Sequence, residues 1–160
     1  DEIDDKILKF KKLMKTSDIQ DIALPTGVRG INKFTDKRYN NKKIYGEGSI
    51  FTDTHKGTPV HVKSAIIYND LLKHFGLNNV EKIRSAEKIK WVYLKPNSLN
   101  VKQIGFKGYD DPPEIMDFIN ENVDHEKLFQ KALFKKIKVF YEAMGWELPV
   151  DKKNTLERFF

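Results

Sequence analysis

Apolar residues recur every three or four positions along several stretches of the chain, and this spacing is typical of amphipathic helices. The first stretch covers residues 1–15, where acidic residues crowd the beginning and lysines follow, as the helix dipole prefers. The pattern predicts three further helices: one from about Gly57 to Gly76, a short one that begins at residues 110–114, and a long one from about His125 to Met144. We therefore expect a mainly helical chain.

Two later stretches alternate apolar and polar residues, as in a β-strand with one buried face. Residues 88–94 place Ile89, Trp91 and Tyr93 on one side, and residues 102–107 repeat the pattern. A Lys-Pro-Asn-Ser sequence between them supplies turn residues. We predict a small β-hairpin within an α+β fold, and its edges are kept in water by lysines at four positions: Lys88, Lys90, Lys102 and Lys107.

The helix that opens near Gly57 has the best-marked start in the chain. Thr58 can accept a hydrogen bond from a first-turn amide, and Pro59 suits the first helical position because it has no N–H to satisfy. The remaining amides and the positive end of the helix dipole favour an anion there, with His61 and Lys63 close by. The stretch is either a capped helix alone or a phosphate-binding helix start, and the sequence leaves both interpretations open.

The segment of residues 29–63 is rich in basic residues, asparagine and glycine and has no regular period, so we predict an irregular surface segment. The aromatic residues Phe34, Tyr39 and Tyr45 lie among its cations. This composition suits contacts with a DNA or RNA backbone, and it suits a solvated loop equally well. The candidate DNA contacts in this region are Lys37, Arg38, Lys42, Lys43, Lys56, Gly57, Thr58, His61 and Lys63.

A second basic surface is predicted on the long helix, which Asp124 caps. The apolar stripe of this helix runs from Leu128 to Met144. On another face, lysines recur at intervals of four, four and three residues: Lys127, Lys131, Lys135 and Lys138. Such a ridge is either a solvated helix face or a contact surface for a sugar-phosphate backbone.

The helical pattern breaks after Trp146, and residues 148–152 have the composition of a linker. One turn of helix would then place Leu156, Phe159 and Phe160 on the same side. Two aromatic residues after a polar linker suit a hydrophobic pocket on another protein, and packing against the chain's own core is the alternative. We therefore divide the chain into a domain of residues 1–147 and a flexible linker and peptide of residues 148–160.

Composition narrows the classes of function. The net charge of +6 favours a polyanionic partner, and the absence of cysteine excludes disulfides, thiolate zinc sites and cysteine nucleophiles. No apolar run approaches the roughly 20 residues of a membrane span, so we expect a soluble protein without a membrane partner. Paired carboxylates, a histidine cluster and a nucleophile elbow are not evident, so no catalytic residue and no metal site is predicted.

With these residues in view, the chain resembles the C-terminal thumb region of a family B DNA polymerase of T-even-like bacteriophages. The resemblance runs over essentially the whole chain and rests on blocks in a fixed order. These are residues 22–25 with Gly27 and Gly30, residues 56–63 with Ala65, Tyr68 and Asn69, residues 93–97, residues 103–106, and residues 156–160.

The resemblance implies a thumb-like helical domain that grips the primer-template duplex by backbone contacts, and a C-terminal peptide that docks on the sliding clamp. Leu156, Phe159 and Phe160 match the clamp-binding pattern, whereas Lys153 stands where that pattern has Gln. Residues 36–39, Asp-Lys-Arg-Tyr, look like the primer-gripping Lys-Lys-Arg-Tyr of the family. That motif should precede residue 22, so its role is not transferred.

The resemblance also implies partners and a location. The chain would work with the palm, fingers and exonuclease parts of a DNA-directed DNA polymerase, in the cytoplasm of an infected bacterial host. It would need no cofactor itself, while the full polymerase would use Mg²⁺. The helix start at residues 57–64 would then position duplex DNA rather than perform chemistry.

The leading hypothesis is therefore a non-catalytic part of a replicative polymerase that grips DNA and tethers the enzyme to its clamp. It is either a portion of a longer chain or a separately encoded subunit. The alternative is a stand-alone basic module that binds RNA or an acidic protein partner. An independent hydrolase or nuclease is a third interpretation, which the missing catalytic constellation disfavours.

Overall fold

The computed structural model of the 160-residue chain describes residues 5, 6, 8, 9, 12, 18–36, 41, 42 and 50–145. The chain divides into two compact units. The larger unit is Ala23–Val123, and the smaller unit combines Asp1–Ile22 with Asp124–Phe160. Helices occur together with an antiparallel sheet, so the predicted α+β class is confirmed.

Ten elements follow one another in the described part of the chain. They are α1 (Ile19–Ile22), β1 (Leu24–Gly27), α2 (Ile31–Phe34), β2 (Asn41–Lys42), β3 (Thr54–His55), α3 (Val60–His74), β4 (Lys88–Tyr93), β5 (Gln103–Phe106), α4 (Pro113–Asn122) and α5 (His125–Met144). Strands β1, β4 and β5 form one antiparallel sheet in the order β1-β4-β5, and β2 pairs with β3 in a separate ladder.

The predicted hairpin is confirmed, because β4 and β5 pair from Lys90 opposite Phe106 to Tyr93 opposite Gln103. The Asn97 side chain orders the connecting loop, since its Nδ2 donates to the carbonyl oxygens of Lys95 and Val101, both at 2.7 Å. The sheet also contains β1, which pairs along the other edge of β4. This third strand was not predicted from the sequence.

The predicted burial of the hairpin on a single face is wrong. All four residues of β5 are buried, and on β4 both Ile89 and Val92 are buried although they point to opposite faces. When both faces of a strand are covered, an alternating sequence pattern no longer identifies a single buried face. The prediction that Lys107 faces solvent is also wrong, because its side chain is only 7% exposed and its Nζ lies 4.0 Å from Oε2 of Glu87.

Helix α3 is the principal core helix of the larger unit. Eight of its residues are buried: Val62, Ser64, Ala65, Ile66, Ile67, Tyr68, Leu71 and Leu72. The hydroxyl of Ser64 donates to the carbonyl of Val60 at 2.8 Å, so its burial leaves no polar group unsatisfied. The helix lies against β5 at Gly105, which has no side chain to separate the two backbones. Glycine there allows the closest approach between helix and sheet.

The helix start predicted at residues 110–114 is confirmed. Helix α4 has Pro112 as its N-cap residue and Pro113 in its first turn, where a missing N–H is tolerated. The carbonyl of Pro112 accepts from the amides of Ile115 and Met116, both at 3.1 Å. The short helix buries Ile115 and Ile119, four residues apart on one face.

The smaller unit contains α1 and α5. Asp124 caps α5 as predicted, because its Oδ1 accepts from the amide of Lys127 at 3.0 Å. Leu128 and Phe129 are buried, but Met144, predicted in the same apolar stripe, is 51% exposed. The predicted apolar stripe is therefore wrong at its C-terminal end. Residues 5, 6, 8, 9 and 12 are helical and exposed, and the apolar positions predicted for that helix lie outside the described residues.

Candidate nucleic-acid interface

The start of α3 is capped by a different residue from the one predicted. Pro59 is the N-cap residue, with ψ of 147°, and its carbonyl accepts from the amides of Val62 and Lys63 at 3.1 and 3.0 Å. Thr58 is buried, and its Oγ1 donates to the carbonyl of His55 at 2.7 Å. The predicted Thr58 cap is therefore wrong, because the preceding turn brings a carbonyl within closer reach of that hydroxyl.

This preceding turn covers residues 55–58. The amide of Thr58 donates to the carbonyl of His55 at 3.2 Å, and Gly57 has φ of +85° at the third position, as a type II turn requires. Lys56 and Gly57 are exposed at its tip. The turn therefore presents the Lys56 cation immediately before the helix. Thr58, predicted as a DNA contact, is buried and stabilises the turn instead.

Two backbone donors remain at the start of α3. The amides of Val60 and His61 have no hydrogen-bond partner in the described part of the chain, and the side chains of His61 and Lys63 are half-buried beside them. Ser64, which the sequence placed at the same site, is buried and bonded to a backbone carbonyl. An anion at this point would meet two amides and the positive end of the dipole.

The basic segment of residues 29–63 is described only in part. It contains α2 and the ladder of β2 with β3, so the predicted irregular structure is wrong for these elements. Elements of two to four residues are too short to produce a readable period, which explains why the sequence missed them. Lys42 lies on β2 opposite Thr54, whereas Lys37, Arg38 and Lys43 lie outside the described residues.

The predicted cationic ridge on α5 is exposed. Its four lysines, at 3.6 residues per turn and about 1.5 Å of rise per residue, fall within an arc of about 80° and span about 16 Å along the helix axis. All four side chains reach solvent: Lys127, Lys131, Lys135 and Lys138. Glu142 follows one turn later, exposed on the same side, and ends the run of positive charge.

Asp111 is half-buried and forms a polar junction that the sequence did not predict. Its Oδ1 accepts from the Tyr68 hydroxyl at 3.0 Å and from the amide of Lys107 at 2.9 Å, and its Oδ2 accepts from the amide of Gly108 at 2.7 Å. Burial, and then the neighbouring carboxylate, raise the pKa of Tyr68 well above its ordinary value. The three donors hold the loop that carries the exposed side chain of Tyr109.

A polar cleft of about 810 Å³ opens on the larger unit, between α2, one side of α3 and the segment of residues 78–85. Asn69 fixes that segment, because its Nδ2 donates to the carbonyl of Ile83 at 2.9 Å and its Oδ1 accepts from the Ile83 amide at 2.7 Å. On the same side of α3, the Asp70 carboxylate accepts from the amide and from the hydroxyl of Thr52, both at 2.8 Å. Burial raises the pKa of Asp70, although these two bonds lower it in part.

Little in the sequence indicates this cleft. The clearest local sign is the Asn78-Asn79 pair after Gly76. This sign is not specific, because polar residues commonly follow the end of a helix in a turn. The cleft therefore emerges only when distant segments are folded together.

The predicted clamp-binding residues Leu156, Phe159 and Phe160 lie outside the residues that the structure describes, as does the boundary between residues 147 and 148. The clamp-binding role of these residues and this domain boundary stay predictions from sequence. Where side chains are described, no group of three or more histidine, aspartate or glutamate residues is placed to hold a metal ion.

Comparison with known proteins adds no relative. No protein-family model matches the chain, and no curated protein matches it significantly. Of the helices in the described ranges, none is both long and apolar enough to cross a membrane. The likeness to a polymerase thumb therefore rests on the sequence blocks alone.

Proposed function

We propose that this chain is a non-catalytic part of a replicative DNA polymerase that holds primer-template duplex by its sugar-phosphate backbone. The observation that carries the proposal is the exposed ridge of four lysines on α5. The turn at Lys56 and Gly57, with the two amides at the start of α3, supports it independently.

The mechanism is electrostatic. Each lysine that neutralises a phosphate releases condensed counterions, which gives affinity that falls steeply with salt. Lysine is a flexible point charge and reads no base edge, so the contacts hold the duplex without selecting a sequence. The amides of Val60 and His61 add fixed donors for a phosphate oxygen, since they cannot move away from the helix start.

The second half of the proposal concerns the C-terminal peptide and rests on sequence. Leu156, Phe159 and Phe160 would insert into a hydrophobic pocket of the sliding clamp. Such a tether raises the local concentration of the polymerase at the primer end without adding any contact to DNA.

Fluorescence anisotropy with a labelled blunt duplex at low salt tests the grip. The full chain should bind, and the Lys131→Glu/Lys135→Glu variant should bind about tenfold or more weakly, because it places two negative charges within the ridge. The Lys95→Glu/Lys102→Glu variant is the matched control, since it changes two exposed lysines of the larger unit and alters net charge equally.

Absence of duplex binding at low salt would overturn the grip, and so would equal losses in the two variants. The tether is tested separately by deleting residues 156–160. That truncation should abolish binding to the sliding clamp while duplex affinity changes less than about twofold, because the two contacts are independent. Clamp binding that survives the deletion rejects the tether.

The alternative function, a basic module for RNA or an acidic protein, uses the same ridge. Structured RNA and polyglutamate compete with the labelled duplex in the same assay. If either competitor displaces the duplex at a lower concentration than unlabelled duplex does, the alternative replaces the polymerase interpretation.

A further inference from the structure

We propose that the polar cleft receives one unpaired nucleotide of a single strand, with the base inside and the phosphate at the rim. The inference rests on the proposed function in assuming a nucleic-acid partner. It uses none of the residues assigned above to the grip.

The size and lining of the cleft suit a nucleotide. Its volume of about 810 Å³ lies within the range of about 300–1,000 Å³ typical of small-molecule sites. The lining combines apolar side chains, namely Ile31 and the buried Ile66 and Ile83, with amide and hydroxyl groups. A flat base has apolar faces and a polar edge, so the cleft matches both.

Three asparagines supply the polar edge. Asn32, Asn78 and Asn79 line the cleft with exposed side chains, for which no hydrogen bond is seen with any residue that the structure describes. A carboxamide places a donor and an acceptor side by side, which is the pairing that a base edge requires. Asn69 differs from these three because both ends of its amide are already bonded to Ile83.

The charges at the cleft favour a nucleotide over a free anion. Lys82 and Arg84 are exposed on either side of the buried Ile83, so both cations reach solvent at the rim. Asp70 and Glu81 also line the cleft, and these carboxylates repel a bare phosphate. A nucleotide carries a phosphate that can pair with the cations and, on some bases, an amino group that can donate to a carboxylate. Such a ligand therefore complements both the positive and the negative charges of the cleft.

The carboxylate also predicts which base is preferred. Asp70 receives two hydrogen bonds from Thr52, and a carboxylate has about four acceptor sites, so it retains capacity to accept from a base amino group. Cytosine offers its N4 amino group to a carboxylate, whereas thymine has no amino group. We therefore expect the cleft to prefer dC over dT.

The walls of the cleft are held before any ligand arrives. The bidentate bond of Asn69 to Ile83 fixes one wall to α3, and the bonds of Thr52 to Asp70 fix another. A site already in its binding geometry loses less conformational entropy when the ligand enters.

The test compares a blunt duplex with the same duplex carrying a single-stranded overhang of about six nucleotides, within the usual range of site sizes. An oligo-dC overhang should raise the affinity of the full chain about tenfold and an oligo-dT overhang less, because the amino contact is lost. The Asn78→Ala/Asn79→Ala and Lys82→Ala/Arg84→Ala variants should lose this gain and keep blunt-duplex affinity. The Lys95→Ala/Lys102→Ala variant, with the same charge change as the second, should keep both.

A site-specific readout comes from the side-chain amide signals of the ¹⁵N-labelled full chain. Titration with a short oligo-dC should shift the signals of Asn32, Asn78 and Asn79. It should leave that of Asn120 in place, because that exposed amide lies on α4 and is bonded to the carbonyl of Met116.

The outcomes separate the two proposals. Duplex binding without an overhang gain or without these shifts overturns the cleft inference and leaves the proposed function standing. Shifts with oligo-dC in the absence of blunt-duplex binding support the cleft and overturn the duplex grip. If an acidic peptide rather than oligo-dC shifts the three amides, the cleft is a peptide site and the nucleotide inference is wrong.

Discussion

At the scale of single residues, Gly105 sets the distance between α3 and the sheet. A β carbon at this position would lie 2.9 Å from Cδ1 of Ile89 and 3.2 Å from the carbonyl carbon of Ser64. The Ile89 side chain can rotate, but the Ser64 backbone cannot, so a larger residue must push the helix away from β5. Composition and periodicity did not mark this contact, because Ser64 lies 41 positions before Gly105 in the sequence.

Gly105→Ala should therefore destabilise the fold by about 1–3 kcal/mol, as overpacking of a close contact does. Gly27→Ala is the matched control, since this glycine also lies in a strand of the same sheet but has no atom within 4 Å of the added carbon. Its stability should change by less than about 0.5 kcal/mol. Urea unfolding of the two variants measures both values, and equal stabilities would contradict the packing described for α3.

Tyr68 makes stability depend on pH in the alkaline range. Its pKa is raised in the folded protein by burial and by the Asp111 carboxylate, so the folded state keeps a proton that the unfolded state loses above about pH 10. The contribution of Tyr68 is complete below about pH 10 and declines as the pH rises further, by about 1.4 kcal/mol per pH unit.

The Tyr68→Phe variant should show a shallower alkaline decline because, among the tyrosines that the structure describes, only Tyr93, whose pKa burial also raises, still contributes to it; the variant loses the bond to Asp111 at every pH. Tyr109→Phe is the control, because Tyr109 is 61% exposed and its substitution leaves the polar junction intact. Unfolding free energies measured from about pH 8 to pH 11 give the two slopes. A decline of the same steepness in Tyr68→Phe and in the native chain would refute the assignment.

At the scale of elements, sequence predicted the long helices and the hairpin. Helix α5 has a capping Asp124 and a helical period that is sustained over 20 residues, and that period also determines which lysines share one face. The elements it missed, β1, α2 and the ladder of β2 with β3, have between two and four residues each. Strand β1 is stabilised by pairing with β4, β2 by pairing with β3, and α2 is tied at Ile31 to the hydroxyl of Ser85; such contacts leave no local pattern.

The two candidate sites differ in the same way. The ridge lies on one helix, so its spacing in sequence determines its geometry. The cleft combines residues from α2, from Thr52, from α3 and from residues 78–85, and only the tertiary fold brings them together. The predicted cap at Thr58 failed for a local reason, since the competing carbonyl of His55 lies three residues before it in the turn that precedes the helix.

Asn69 joins α3 to the segment of residues 78–85, and its loss should loosen that connection. Asn69→Ala leaves the buried N–H and C=O of Ile83 without partners, which should cost about 2–4 kcal/mol of stability. Asn120→Ala, which removes one exposed bond to Met116, should cost less than about 0.5 kcal/mol.

Urea unfolding gives both of these free energies, and amide hydrogen exchange locates the effect. The Ile83 amide should exchange faster in Asn69→Ala than in the native chain. An unchanged exchange rate at Ile83 would show that the segment is held by other contacts.

At the scale of the whole molecule, the number of phosphates that its cations neutralise, rather than the net charge of +6, should govern how affinity responds to salt. The logarithm of the association constant falls with the logarithm of salt by about 0.9 per phosphate neutralised. Replacing the four ridge lysines with alanine should reduce this slope by up to about 3.6 if each meets one phosphate.

Titrations of a blunt duplex at several salt concentrations measure the slope directly. The Lys95→Ala/Lys102→Ala variant should keep the native slope, since those lysines lie outside the ridge. A ridge variant whose slope equals that of the native chain would place the phosphate contacts elsewhere.

The order of the sheet has a consequence for synthesis of the chain. Strand β1 pairs with β4, so Gly27 meets Lys88 only after about 60 further residues have been added. At about 5–20 residues per second, the ribosome needs roughly 3–12 s to supply that partner. During this delay β1 has no partner in its own sheet, and Pro25, which lacks an N–H, limits what another nascent chain could pair with there. We therefore expect Pro25 to limit premature association of the growing polypeptide.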